Sequence, residues 1–147
     1  MEIHDLPAGD PRWEQALPVL QQLRPRLTRH DLATVFAAPD GVRPTFFGAF
    51  DGDVCLGVGS WRLIVNTSAG RKLYVDDLVT DDDVRSRGVG SALLAHAEEI
   101  ALGLDCVRLD LDSGVQRHAA HRFYLRERMI IQAFHFTKHL SDGVDES

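Results

Sequence analysis

Two arginines and two glycines stand at the start of a predicted helix, in the stretch DDDVRSRGVGSALLAHAEEIA, residues 81–101. The first turn of a helix has backbone N–H groups without intrahelical partners, and the helix dipole adds partial positive charge there. Gly88 and Gly90 would let an anion approach those groups, and Arg85 and Arg87 add full positive charge. The pattern predicts a phosphate or pyrophosphate site. The alternative is a tight glycine turn with solvated arginines.

Two common nucleotide-binding motifs do not fit this stretch. A Walker loop needs a lysine directly after its last glycine, and Ser91 follows Gly90. A dinucleotide-binding fingerprint needs glycine or alanine at its third position, where Leu93 stands. The spacing therefore predicts an anion site without naming the ligand.

The first forty residues predict one short strand, EIHDL, followed by two helices. The first helix starts near Pro11 and contains Pro18, which should kink or divide it. The second follows Thr28, an N-cap for which Asp31 is a shortened capping-box partner, and it ends at Pro39.

The rest of the chain predicts a mixed α/β fold. Residues 43–79 form an antiparallel meander with turns at 51–53 and 66–70. After it come a helix over 88–102, a strand in CVRLDLD, a short helix in QRHAAHRFYLRE and a final strand in MIIQAFHFTKHL. In CVRLDLD, the residues Val107, Leu109 and Leu111 share one face. Strands joined through a helix are expected to be parallel. We therefore expect a mostly antiparallel sheet with a parallel βαβ unit and helices on both faces.

Length and composition limit the function classes. The 147 residues suit one domain, assigned to residues 1–140, with a frayed polar tail over 141–147. The net charge of −6 argues against a general nucleic-acid binder. We see no signal peptide and no run near the roughly 20 apolar residues that span a membrane. Cys55 and Cys106 lie in apolar runs and should be reduced, buried thiols, and no metal site is expected. These features favour a cytoplasmic protein.

Residues 76–91, DDLVTDDDVRSRGVGS, resemble the acyl-CoA binding segment of the GCN5-related N-acetyltransferases, the GNAT superfamily. Its signature, [QR]-x-x-G-x-[GA], is matched by Arg85, Gly88 and Gly90, and the flanking strands and helices resemble small bacterial members. The resemblance implies acetyl-CoA as co-substrate, with the pantetheine arm along a strand edge and Arg117 near the cofactor. The implied strand edge is Leu78, Val79 and Thr80, and the implied pyrophosphate cradle is Arg85, Ser86, Arg87, Gly88, Val89, Gly90 and Ser91.

The same resemblance places the tyrosine of the FY pair, Tyr124, at the leaving thiolate as general acid. The general base is less defined. Asp76 and Asp77 are neighbours on one strand, so their side chains should point to opposite faces; we prefer Asp77 slightly, and a water chain is equally credible. Asp112, near the carboxyl end of a later strand, could hold a cationic acceptor. Many family members have glycine where Arg128 stands. A glycine is not needed at this position if the turn there is helical.

Together these inferences predict an N-acetyltransferase. The acceptor is the primary amine of a small molecule, with a peptide as the other acceptor considered, and the amine attacks acetyl-CoA directly in a ternary complex. The alternative is a CoA-binding regulatory module that has lost catalysis and binds a partner protein. The expected final strand, if exposed, could also pair with a second copy to give a homodimer. We expect no nucleic-acid or membrane partner.

Overall fold

The computed structural model describes residues 1–84 and 87–142 of the chain. The described elements, in chain order, are β1 (Glu2–Asp5), α1 (Trp13–Leu23), α2 (Arg29–Ala37), β2 (Thr45–Asp51), β3 (Val54–Asn66), β4 (Gly70–Thr80), a 3-10 turn (Asp82–Val84), α3 (Val89–Gly103), β5 (Arg108–Leu111) and α4 (His118–Arg126).

The five strands form one sheet in the order β1-β2-β3-β4-β5. All neighbouring strands are antiparallel except β4 and β5, which are parallel and joined through α3. The mixed sheet with its parallel βαβ unit is therefore confirmed. β5 forms one edge, and its ladder with β4 joins only 72–75 to 108–111.

Two apolar cores lie on opposite faces of the sheet. One packs α1 and α2 against side chains such as Phe46, Phe50 and Val58. The other packs α3 against side chains that include Phe47 and Leu73. Neighbours Phe46 and Phe47 belong to different cores because successive strand residues point to opposite faces. Helices on both faces are thus confirmed.

The helix signals near the N-terminus had mixed outcomes. Thr28 and Asp31 form the expected capping box at the start of α2. α1 starts at Trp13 rather than Pro11 and runs through Pro18 without division, so a division there was a wrong expectation. Pro18 lies on the exposed side of α1, as does Glu14, whose carbonyl loses its i+4 donor. Solvent can therefore satisfy the group that the proline leaves without an intrahelical partner.

The two thiols differ in environment. Both are free, but only Cys55 is buried; Cys106 is half-buried at the turn before β5. Burial raises the pKa of the Cys55 thiol to about 11, so it stays protonated at neutral pH. The expectation of two buried thiols is thus correct for Cys55 alone.

The C-terminal part of the chain departs from the predicted pattern. Residues 129–140 form no strand in the structure, and the final strand was a wrong prediction. Val107 does not share the packed face of Leu109 and Leu111: it precedes β5 and is 71% exposed. From residue 102 to residue 142, no residue is buried. The tail beyond residue 142 lies outside the described residues.

None of the helices in the described ranges has both the length and the apolar character that a membrane span requires.

Candidate active site

The start of α3 is shaped by two glycines with different constraints. Gly88 is the N-cap residue and has a φ of 78°, a left-handed conformation that favours glycine. A Cβ on Gly90 would lie 3.1 Å from Cζ of Phe123 and 3.5 Å from Oγ1 of Thr80. Gly90 therefore allows α3 to approach α4 and the end of β4 closely, and it brings the three elements to one place.

The polar side chains at this helix start are partly described. Arg85 and Ser86 lie outside the described residues. The Nη2 atom of Arg87 lies 3.6 Å from Oδ2 of Asp51, and both side chains are about half exposed, so the pair is weak. The Ser91 hydroxyl donates to the carboxylate of Glu127, a contact the sequence did not suggest. Val89, whose side chain is buried, anchors the first turn in the α3 core.

β4 extends beyond its ladder with β5 and leaves a strand edge there. Its pairing with β5 ends at Val75, whereas its pairing with β3 continues to Thr80. Residues 76–80 therefore have no β5 partner among the described residues. Leu78, Val79 and Thr80, the residues predicted to bind pantetheine, all lie in this part of β4, which can accept an extended, amide-rich chain as an added strand.

A β-bulge in this region changes the orientation of the two neighbouring aspartates. The register shifts between Ser60 and Trp61, so that Ser60 faces Asp77 and Trp61 faces Val75, with Asp76 unmatched. Val75 and Leu78 consequently pack in the same core, although a regular strand would place them on opposite faces. Asp76 and Asp77 are both left on the face that α1 covers. The expectation that the side chains of Asp76 and Asp77 point to opposite faces of the sheet was therefore wrong.

Both aspartates have arginine partners on that face. Arg62 donates to both carboxylate oxygens of Asp76 at 2.7–3.1 Å. The Nε of Arg24, just after α1, donates to Oδ1 of Asp77 at 3.0 Å, and the Ser60 hydroxyl donates to Oδ2 at 2.6 Å. Burial raises the pKa of Asp76 and outweighs the opposing effect of the Arg62 guanidinium. Ser60 is the one buried polar residue among those described.

Tyr124 lies in a narrow cleft between β4, β5 and α4. The cleft is also lined by Asp76, Asp112, Arg117 and Arg24, with Leu78 among its apolar residues. Burial raises the pKa of the Tyr124 phenol above its usual value of 10, while the nearby Arg117 guanidinium opposes the rise. The phenol is therefore protonated at neutral pH and can donate a hydrogen bond. Asp77 is not among the cleft-lining residues, and the geometry consequently favours Asp76 over Asp77 as the group nearer Tyr124.

Asp112 has two partners at the end of β5. It accepts a hydrogen bond from the Tyr74 hydroxyl at 2.6 Å, and Nδ1 of His135 lies 3.1 Å from the same carboxylate. Burial raises the pKa of Tyr74, and the Asp112 carboxylate raises it further. The Arg62 guanidinium lies over the Tyr74 ring, 5.3 Å from its centroid. Asp112 is thereby joined to the network of Arg62 and Asp76.

Four residues of this network were not identified from the sequence: Arg24, Ser60, Arg62 and Tyr74. Ser60 and Arg62 occupy alternate positions in a strand that is otherwise largely apolar, and this alternation was the available signal. Arg24 offered none, because it pairs with a residue 53 positions later in the chain.

A larger cavity of about 520 Å³ lies elsewhere, between α2 along its whole length and the first turns of α1 with the loop before them. It is lined by residues such as Trp13, Leu32 and Phe36 and contains none of the predicted site residues. α1 rises about 15 Å from Trp13 to Leu23, so this cavity and the Tyr124 cleft lie at opposite ends of the helix. The larger cavity also has titratable residues at its lining, Asp10, Glu14 and Arg29. Chemistry is better supported at the smaller cleft, which holds Tyr124 beside Asp76 and Asp112. No cluster of three or more potential metal ligands was found among residues 1–84 and 87–142.

Known proteins share the fold described above. A solved structure described as a putative acetyltransferase from Agrobacterium tumefaciens superposes with a TM-score of 0.76 at 23% identity, covering 95% of this chain and 99% of that one. An uncharacterized N-acetyltransferase of Bacillus subtilis, YhdJ, is 29% identical over 113 residues, 76% of this chain and 80% of that protein.

Two further matches define the family. The aminoalkylphosphonate N-acetyltransferase of Salmonella typhimurium is 41% identical over 66 residues, 45% of this chain and 43% of that protein. The family model of the acetyltransferase (GNAT) family matches residues 8–128, which include α1, the whole sheet after β1 and α4. The chain therefore belongs to the GNAT family of acetyltransferases and is an N-acetyltransferase enzyme.

Proposed function

We propose that this enzyme transfers the acetyl group of acetyl-CoA to the primary amine of a small molecule, by direct attack in a ternary complex. The observation that carries the proposal is the contact of Gly90 with Phe123 and Thr80. It joins the start of α3, the open edge of β4 and the residue beside Tyr124. This close approach supports one site in which an anion, an amide-rich arm and a phenol would come together.

The residues present suit coenzyme A. Its pyrophosphate would bind the N–H groups between residues 85 and 91, with Arg85, Ser86 and Arg87 nearby. The pantetheine arm would pair along Leu78–Thr80, as an added strand does. Arg117 lines the cleft beside Tyr124 and would contact the arm or the thioester. The Ser91 hydroxyl would turn from Glu127 to a phosphate oxygen, since Glu127 and a phosphate repel each other.

The proposed reaction needs a neutral amine and a stabilised thiolate. The amine nitrogen attacks the thioester carbon, the C–S bond breaks, and the nitrogen loses a proton as the thiolate leaves. The Tyr124 O–H would donate to the thiolate sulfur. Because the raised pKa of Tyr124 lies above that of a thiol, it stabilises the thiolate as a hydrogen-bond donor more readily than it transfers its proton.

The amine proton would leave through Asp76 or through water that Asp76 contacts. Asp76 lines the cleft, and its raised pKa makes it a better proton acceptor than an ordinary aspartate. The pairing of Asp76 with the Arg62 guanidinium limits this rise in its pKa. Asp77 would instead position Arg24, since its carboxylate oxygens accept bonds from Arg24 and Ser60.

A small amine acceptor is supported by the named substrate class of a relative. The Salmonella typhimurium relative is named for aminoalkylphosphonates, which are small amines. In this chain, Asp112 and Asp76 supply negative charge to the cleft, where a cationic acceptor would be held before it loses its proton. We propose that Asp112 binds the acceptor through the carboxylate lone pairs that Tyr74 and His135 leave available.

The test is thiol release from acetyl-CoA over a panel of small amines, amino acids, aminoalkylphosphonates and peptides. We expect Tyr124→Phe to lower kcat about 100-fold with little change in CoA affinity. The matched control is Tyr74→Phe, the other tyrosine of the chain, which should change the KM for the amine more than kcat. Unchanged kcat in Tyr124→Phe would contradict the assigned role.

Cofactor binding is tested separately by titration with CoA. Gly90→Asp should abolish binding, because any side chain there meets Phe123 and an aspartate adds repulsion toward phosphate. Gly103→Asp, at the other end of the same helix where nothing lies within 4 Å of a Cβ, should retain binding. Equal CoA affinity in both variants would contradict the site. CoA binding without any acceptor in the panel would favour the inactive regulatory module.

A further inference from the structure

The cavity of about 520 Å³ between α1 and α2 takes no part in the proposed reaction, and its size suits a small organic ligand. Its walls are the first turns of α1, the loop before them and one stripe of α2. The α2 residues recur every three or four positions, as on one helix face: Arg29, Leu32, Ala33, Phe36 and Ala37. This stripe lines an open space, so part of it is available to a ligand.

The floor of the cavity is apolar and held in place. Trp13, Leu17 and Leu32 are all more than nine-tenths buried. The Trp13 ring N–H donates to the Pro7 carbonyl at 3.0 Å, and the ring makes an edge contact with Phe36. The remaining uncharged wall residues are mostly small: Ala8, Gly9, Ala33 and Ala37. The chain therefore has a formed recess for an apolar group.

A weak ion pair lies beside this recess. The Nη2 atom of Arg29 and Oε2 of Glu14 are 3.1 Å apart, and their side chains are 68% and 64% exposed. Asp10, the other acidic residue of the lining, already accepts hydrogen bonds from the backbone N–H and the guanidinium of Arg12. Because an exposed ion pair contributes little to stability, a ligand can open the pair of Glu14 and Arg29 at small cost.

We propose that this cavity binds a free apolar α-amino acid. Its ammonium group would pair with Glu14, its carboxylate with Arg29, and its side chain would enter the recess above Trp13. An α-amino acid has both charges and its side chain on one carbon atom, which matches an ion pair placed beside an apolar recess. The pair within the protein is replaced by two pairs with the ligand, so every charge keeps a partner.

This site is separate from the Tyr124 cleft. Glu14 lies in the first turn of α1, whereas Leu23, at the other end of that helix, lines the cleft. An amine held by Glu14 therefore does not reach a thioester beside Tyr124, and the bound amino acid is not the acetyl acceptor. The ligand would bridge α1 and α2, and its binding would stabilise the folded chain by mass action. Acetyl transfer is not required for it.

The first experiment is a calorimetric titration of the full chain with L-phenylalanine, without acetyl-CoA. We expect saturable binding of one molecule per chain. Two analogues test the charges: 2-phenylethylamine lacks the carboxylate, and 3-phenylpropanoate lacks the ammonium group. Each should bind at least about tenfold more weakly, since one charged side chain loses its partner. L-alanine, which has both charges and almost no apolar group, should be weakened as much. No binding of L-phenylalanine, or equal binding of the analogues, overturns the proposal.

A second experiment locates the bound amino acid in the recess. Ala33→Leu fills the recess from α2 and should weaken the binding of L-phenylalanine at least about tenfold. The matched control is Thr34→Leu, which places the same side chain at the next position, exposed and outside the cavity lining. It should bind like the unmodified chain, and circular dichroism checks that both variants are folded. Equal loss of binding in the two variants overturns the proposal.

The ammonium contact is tested by Glu14→Gln, which keeps the shape of the side chain and removes its charge. The preference for L-phenylalanine over 3-phenylpropanoate should disappear in this variant. Glu98→Gln, at an exposed residue of α3 on the other face of the sheet, removes the same charge and should keep the preference. Binding that survives both Ala33→Leu and Glu14→Gln would mean that the amino acid lies elsewhere, as in the Tyr124 cleft, and it overturns the proposal.

Discussion

The chain up to Ala101 and the chain after it are packed in different ways. Every buried residue of the described structure lies at or before Ala101, in two cores on the two faces of the sheet. From residue 102 to residue 142, side chains are half-buried or exposed, and α4 has no buried residue. The Tyr124 cleft lies at the boundary, with β4 on the packed side and β5 and α4 on the other. The site therefore has one wall that belongs to the packed cores and another whose side chains are half-buried or exposed.

The largest expected difference between the two regions is in the free energy of unfolding, when a side chain is truncated in each of them. Phe47 is 1% exposed, and its ring covers Gly59 at a distance that excludes any side chain there. Phe47→Ala should therefore lower the free energy of unfolding by about 3–5 kcal/mol in urea titrations. Val115→Ala, at a residue 87% exposed in the later region, should stay within about 0.5 kcal/mol. Similar losses in the two variants would contradict the comparison.

A smaller effect tests how β5 is attached to the packed region. Burial alone would raise the pKa of Asp110, but Lys72 and Arg108 outweigh it and lower the pKa below 3.8. A carboxyl with a lowered folded pKa stabilises the fold above its unfolded pKa, and this contribution disappears as pH falls through the folded value. Asp110→Asn should thus cost about 1 kcal/mol at pH 7.

The measurement is the unfolding free energy of Asp110→Asn and of the unmodified chain from pH 7 downward. The difference between them should begin to shrink as pH falls below the unfolded pKa of about 4. It should disappear once pH is below the lowered folded pKa, where both proteins have an uncharged group at residue 110. A difference that is constant with pH would show that the ion pair with Lys72 does not hold β5 against β4.

The smallest expected effect concerns Arg128, the residue just before the C-terminal segment 129–140. Arg128 has a φ of 67°, in the left-handed region where a side chain costs about 1–2 kcal/mol. The turn is therefore not helical there, and the glycine common in the family would suit it. Arg128→Gly should raise the unfolding free energy by about 0.5–1 kcal/mol after the entropy cost of glycine is subtracted. Arg126→Gly, in α4, is the control and should lower it by a similar amount, and the same sign in both variants would refute the strain argument.

What could be predicted from the sequence follows from the range of the interactions. The start of α3 was recognisable because Gly88 and Gly90 act within one turn, and the capping box of Thr28 and Asp31 because it spans four residues. The role of Tyr124 came from family resemblance and stays a prediction.

What could not be predicted depends on tertiary contacts. The orientation of Asp76 and Asp77 was missed because alternation assumes a regular strand, whereas a bulge opposite Ser60 is set by the pairing of β3 with β4. The final strand was wrong for a related reason. Propensity in residues 129–140 indicates a strand, but a strand also needs a ladder of backbone pairs, and the segment forms none with the edge strand β5.

The bulge in β4 has one further consequence. The extra residue, Asp76, has no opposite residue on β3, yet its carbonyl accepts a hydrogen bond from Nη2 of Arg24 at 2.9 Å, while Nε of the same guanidinium binds Asp77. The Arg24 guanidinium, at the end of α1, therefore binds both the carbonyl of the bulged residue and the Asp77 carboxylate on this face. Exchanging that arginine for lysine would keep the charge and lose the two-pronged contact, so the bulge in β4 is stabilised by the position of α1.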